Sequence, residues 1–190
     1  MNTPAHIALN LLCIGRNDSP AVLLPVALGA LLPDVPIFIF YGVEKLIFGV
    51  PESVIWSQSY YQPGWQNVIA LSHSLPLMLL GISLSLWGRS QLGLLLFSSM
   101  ILHVAGDLPL HHDDAHRHFF PLSNWRFISP VSYWDPRYYG NIVSVMEAIA
   151  VLISCGWLWR VYHSKLSQAG VLLIGSLYVV YLIYVALVWA

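Results

Sequence analysis

Polar residues are so sparse along this chain that the apolar runs define its elements. Five stretches (20–42, 67–87, 91–110, 140–160 and 168–189) approach the roughly 20 apolar residues that a membrane-crossing helix needs. Each is broken by very few ionisable residues. Asp34 lies in the first, His73 in the second, His103 and Asp107 in the third and Glu147 in the fourth. A shorter apolar run, 3–15, cannot span at 1.5 Å per residue. Thr3 in N-cap position and Pro4 at the first helical position predict a short helix there. No Lys or Arg precedes it, which argues against a secretion signal. The predicted fold is all-α: a polytopic helical membrane protein of about five transmembrane helices plus a short N-terminal helix, in one domain over 1–190.

The connections sharpen this layout. Residues 16–19, 88–90 and 161–167 form tight turns, whereas 43–66 and 111–139 are long loops. If the spans alternate, the turns share one face and the long loops the other. Arg16, Arg89, Arg160 and Lys165 crowd the span ends on the turn face. The loop face carries Lys45, Arg117, Arg126 and Arg137 diluted by five acids, so the positive-inside rule puts the turn face in the cytoplasm. Trp125, Tyr133, Trp134, Tyr138 and Tyr139 match an interfacial aromatic belt or, as the alternative, a substrate platform.

Composition agrees. The 190 residues are 57% hydrophobic and 9% charged, against roughly 25% charged in soluble domains. Eight basic residues face nine acidic ones, so no basic field points to nucleic acid. Cys13 and Cys155 sit in apolar runs and read as small hydrophobes. Only two Lys occur and no phosphate-binding glycine loop precedes either, which excludes a nucleotide site of that type.

What the few intramembrane charges share is depth. Asp34, His73, His103, Asp107 and Glu147 all fall in the loop-face half of their spans, and His6 joins them if the short helix starts on that face. An Asp at a helix centre costs ~2.5–3.5 kcal/mol on insertion scales, so such residues mark a site. No Lys or Arg lies in that half to neutralise them. Protonation, hydrogen bonds or a metal remain, and the three histidines favour a divalent metal: zinc first, manganese or iron as alternatives. His103 and Asp107, at i and i+4, share one helix face. His111 adds another such step, although Pro109 should end or bend the helix before it. The expected ligands are therefore His6, Asp34, His73, His103, Asp107 and His111. The run from His111 to His118 reads equally as a metal-binding segment or a solvated loop. Glu147, or a loop Asp, is the expected catalytic base. Arg117, Arg126 and Arg137 are candidates to hold a substrate phosphate bidentately.

Together, His6 in Thr3-Pro4-Ala5-His6, then Leu32-Pro33-Asp34, then His73-Ser74, then His103-x-x-x-Asp107 and a loop to Phe120-Pro121-Leu122-Ser123 resemble the LexA-regulated, inner-membrane-associated family of metal-dependent hydrolases. The resemblance covers about the first two-thirds of the chain and rests on the order of short motifs. It implies a metal site embedded in a bacterial inner membrane and a hydrolytic activity. Two positions depart from the family pattern. Pro36 stands where a second acid is common, and Val68 where a histidine is common. His111, His112, His116 or His118 are possible substitutes. The order of ligands is also similar, at fold level, to zinc-dependent phospholipases C and related nucleases, which hints at a phosphodiester. The expected partners are membrane lipids, one of them as substrate. The alternatives are a metal or proton transporter, and a non-catalytic scaffold whose metal only ties helices together.

Overall fold

The computed structural model describes residues 1–188; Trp189, the expected end of the last span, lies outside the described residues. Those residues form nine α-helices joined by short 3-10 and π turns, with no strand among them. They are α1 (Thr3–Ile14), α2 (Pro20–Leu31), α3 (Val35–Gly42), α4 (Glu52–Ser57), α5 (Pro63–Ser72), α6 (Leu75–Trp87), α7 (Gln91–Asp107), α8 (Gly140–Val161) and α9 (Lys165–Val188).

Four helical segments are long and apolar enough to cross a membrane: Pro20–Ile47, Pro63–Trp87, Gly140–Val161 and Lys165–Leu187. The chain is thus an all-helical membrane protein by length and composition. Only four of the five expected spans reach that length: α7 has 17 residues, about 26 Å of helix, although it packs along α2 and α6 and carries the chain back from turn 88–90 to loop 111–139. It stops at Asp107, two residues before Pro109, whose ring and missing N–H cannot continue the ladder. The short N-terminal helix is present, but Asn2 rather than Thr3 caps it, its side chain accepting from Ala5 N–H. The first two spans start or end several residues outside their expected limits, and Lys165 starts α9 three residues early. Residues 43–47 extend the first by a π turn, and Pro63 starts α5 inside the expected long loop.

Two of the four spans are discontinuous. Pro33 and Pro36 force a 3-10 turn, Leu32–Asp34, between α2 and α3. The second break lies at His73 and Ser74, where Ser74 caps α6 and Pro76 follows in its first turn. The breaks sit side by side, since Ser72 Oγ donates to Pro33 O at 2.8 Å. Broken backbone is tolerated at membrane depth only where protein or a cavity satisfies it.

Around them the bundle is tight. Gly29 lets α2 and α7 touch: a Cβ there would lie 2.3 Å from Leu96 O. Asn10 Nδ2 donates to Ser99 O and Ser99 Oγ donates to Val26 O, so α1, α7 and α2 are laced by buried hydrogen bonds. The short α1 packs against α2, α7, α8 and α9. Its Ala5, Ala8 and Leu11 join Val26, Val151, Leu158 and Tyr162 in the core. On the outside, α8 and α9 expose Ile142, Met146, Leu152, Ile153, Leu172 and Val180, an apolar coat suited to lipid. Two of the tight turns meet on one face. Tyr162 OH donates to Gly15 O, and Asp18 Oδ2 accepts from the N–H groups of His163 and Ser164.

Candidate metal centre

Each helix break presents a polar side chain to the end of α7. Asp34 comes from the first break, His73 from the second, and His103 and Asp107 from the last turn and a half of α7. The four residues are buried, and one ligand atom from each lies within 4.8 Å of all the others. His103 Nε2 is 3.0 Å from Asp107 Oδ2 and 3.5 Å from Asp34 Oδ1; His73 Nε2 is 3.8 Å from both carboxylates. Atoms bound at about 2.0–2.1 Å to one tetrahedral centre stand about 3.3–3.4 Å apart, and these four spacings bracket that edge.

Hydrogen bonding prepares the imidazoles for the role. His103 Nδ1 donates to Ala30 O at 2.7 Å and His73 Nδ1 to Ile69 O at 2.9 Å. A carbonyl only accepts, so each Nδ1 carries a proton, and it is Nε2 that offers the lone pair when the ring is neutral. Both Nε2 atoms are buried and have no hydrogen-bond partner. Backbone carbonyls orienting ligand histidines in this way are the usual second layer of a metal site. An unpartnered buried nitrogen is costly in a membrane core, and two facing the same pair of carboxylates form a group that could hold a metal ion. No Lys or Arg pairs with Asp34 or Asp107 among the described residues.

A second group adjoins the first and shares Asp107: one ligand atom each from Asp107, His111 and His116 lies within 4.8 Å of the others. His111 Nε2 is 3.1 Å from Asp107 Oδ1, and its Nδ1 is 2.9 Å from Asp114 Oδ2. Burial opposes charge on His111, yet the Asp107 and Asp114 carboxylates outweigh it and raise its pKa to about 9. Burial pulls His116 the other way, well below the ordinary value, with His73 and His111 as neighbours of like charge. The Met1 amino group lies 2.7 Å from Asp107 Oδ1.

Loop 111–139 reaches the site because the second helix break holds it. Leu75 N–H donates to His118 O at 2.8 Å, and Ser74 Oγ donates to Phe120 O at 2.5 Å. That seats His116 against the His73 ring, with centroids 4.1 Å apart.

Of the expected ligands, Asp34, His73, His103 and Asp107 converge in one group and His111 joins Asp107 in the other. His6 stands beside both: it stacks on His103 at 3.6 Å and its Nε2 is 2.8 Å from Asp107 Oδ1. His116 belongs to the second group although nothing in its own sequence context sets it apart from its neighbours. His112 instead stacks on Tyr138 and bonds Ser129 O. Glu147 lies in neither group. Its Oε1 accepts from Asn2 Nδ2 and Tyr178 OH, which ties α8 and α9 to the cap of α1. Arg137 is clamped to Asp135, while Arg117 and Arg126 bond only neutral oxygens.

No family model matches the chain, and neither a curated protein nor a solved structure does.

Proposed function

We propose that this chain is a membrane-embedded, metal-dependent hydrolase of a phosphodiester, with a phospholipid as the favoured substrate, in a bacterial inner membrane. What carries the reading is the pair of unpartnered Nε2 atoms of His73 and His103 facing the Asp34 and Asp107 carboxylates inside an apolar bundle. The likeness in motif order to the LexA-regulated hydrolase family supports it.

Asp34, His73, His103 and Asp107 would hold one divalent ion. Asp107, through its other oxygen, would hold a second with His111 and His116. Two imidazoles and two carboxylates suit zinc, and manganese or iron are the next candidates. Such an ion supplies Lewis-acid polarisation of a phosphoryl oxygen and lowers the pKa of water.

The chain's own groups do the rest. Asp114 Oδ2 fixes the His111 ring by accepting at Nδ1, and its Oδ1 is buried without a partner. We assign that oxygen the base role, to take the proton released when water attacks. Glu147 becomes a positioning residue: it holds Asn2, hence the start of α1, hence His6. Thr3 Oγ1 donates to Asp34 Oδ2 at 2.5 Å and holds that carboxylate's outer oxygen, leaving Oδ1 to face His73 and His103.

The test is the purified full chain, analysed for bound metal and assayed on phospholipids before and after chelation. Turnover that disappears with chelator, returns with added zinc, manganese or iron, and is absent in Asp107→Asn is expected. Unchanged turnover in chelator overturns the reading. Metal-dependent thermal stability with no turnover of any phosphodiester would favour the scaffold instead.

A further inference from the structure

The long loop over the metal centre carries three arginines, and they have different partners. Arg137 contacts both oxygens of Asp135 at 2.6–3.1 Å, and its Nη2 lies 3.3 Å from Asp113 Oδ2. Its charge is cancelled. Arg117 and Arg126 make no ion pair with any carboxylate among the described residues. Arg117 donates to Asn124 Oδ1 at 2.9 Å and Asn67 Oδ1 at 2.7 Å, and lies over the Phe120 ring at 4.6 Å. Arg126 donates to Ala115 O at 3.2 Å and Gln66 Oε1 at 3.4 Å. Neutral amide oxygens and an aromatic face orient these guanidinium groups without neutralising them.

The two charges also lie close together. Arg117 Nη2 is held by Asn67 and Arg126 Nη2 by the adjacent residue Gln66, which keeps the two guanidinium groups side by side. Two guanidinium groups held close, with no acid between them, are stabilised by an incoming anion. Arginine's planar fork matches phosphate oxygens bidentately. Their place adds the rest. Arg117 directly follows His116 in the chain, and Arg126 donates to Ala115 O directly before it, so the two flank that candidate ligand. The same loop exposes Leu122 at 80%, Trp125 at 54% and Ile128 at 61%. Paired positive charge rimmed by exposed aromatic and aliphatic side chains complements a phospholipid: the phosphate meets the guanidinium groups and the glycerol–acyl region meets the rim.

We propose that Arg117 and Arg126 together bind the headgroup phosphate of a membrane phospholipid at the entrance to the metal centre. Naming that lipid as substrate rests on the metal-hydrolase reading; the binding itself does not.

The experiment titrates the full chain in detergent, with chelator present, with dihexanoyl phosphatidylglycerol, dihexanoylglycerol and inorganic phosphate, following tryptophan fluorescence. Wild type should bind the phospholipid, bind the phosphate-free lipid at least roughly tenfold more weakly, and bind inorganic phosphate more weakly still. Arg117→Gln and Arg126→Gln should each weaken phospholipid binding about tenfold, the double variant should abolish it, and Arg137→Gln should leave it unchanged. Equal affinity for phosphatidylglycerol and dihexanoylglycerol overturns the proposal on wild type alone, whatever the variants do. Inorganic phosphate binding as tightly as the lipid, or full binding by a folded double variant, overturns it too. Phospholipid binding without metal-dependent turnover would leave this site standing and remove the hydrolase reading; turnover with binding insensitive to both arginines would do the reverse.

Discussion

Asp107 is the residue on which both ligand groups depend. Its Oδ2 faces His103 and His73, and its Oδ1 faces His111 and His6. Variants should therefore separate the two groups. Asp107→Asn should bind neither ion, whereas His116→Ala should keep the one held by Asp34, His73 and His103. Metal content per chain by mass spectrometry should read about two for wild type, one for His116→Ala and none for Asp107→Asn. Equal metal content in all three would break the two-group arrangement. At this scale the sequence is informative for a physical reason. A carboxylate in a membrane span is expensive, so Asp34 and Asp107 stand out, and histidines at the same depth follow. His116 does not stand out because it lies in a run with three other His, where only the fold of the loop separates a candidate ligand from His112 on Tyr138. Glu147 is conspicuous as a buried acid, but its partner Asn2 comes from the opposite end of the chain, and no local pattern announces that pairing.

At the scale of elements, the two helix breaks and one close helix contact build the site. Gly29 permits α2, which leads into Asp34, to lie on α7, which carries His103 and Asp107. A methyl group there meets Leu96 O at 2.3 Å. Gly29→Ala should cost about 1–3 kcal/mol through overpacking and lower metal affinity with it. Thermal unfolding and metal titration in detergent check this, and a variant as stable as wild type would show that the helices do not need that approach. Ser74 serves a different function, capping α6 and holding loop 111–139 through Phe120 O. Ser74→Ala should cost roughly 1 kcal/mol and make the loop cleave faster in limited proteolysis, while leaving the α2–α7 contact intact. The apolar runs reveal the helices themselves. Pro33 and Pro36 announce the first break, and Pro109 accounts for the early end of α7. The break at His73 is weaker in sequence, since Pro76 three residues on is as compatible with a helix start as with a helix interior. Its position is settled by the loop that hydrogen-bonds to it.

Across the whole molecule, the bundle has one face of tight turns and one of long loops, with the ligand cluster near the latter. The turn face holds Arg16, Arg89, Arg160 and Lys165 beside helix ends, and the orientation expected from the positive-inside rule puts that face in the cytoplasm. In a chain whose Cys13 and Cys155 are replaced by Ala, Leu122→Cys should react with a membrane-impermeant maleimide added to intact cells, and Gln91→Cys only after lysis. The reverse pattern would invert the orientation. What lies beyond sequence at this scale is the return of loop 111–139 onto the bundle. It is held by single hydrogen bonds between distant residues, such as Leu75 N–H to His118 O and Ser74 Oγ to Phe120 O, and such contacts leave no periodicity. The central claim is that the depth shared by the intramembrane histidines and acids is a metal centre. Anomalous X-ray diffraction from crystals of the purified protein, at the absorption edge of the metal it carries, tests this most directly. The account predicts a peak within about 2.0–2.1 Å of His73 Nε2 and His103 Nε2, with a second across Asp107 beside His111 and His116. Well-ordered density at these side chains with no anomalous peak between them would contradict it.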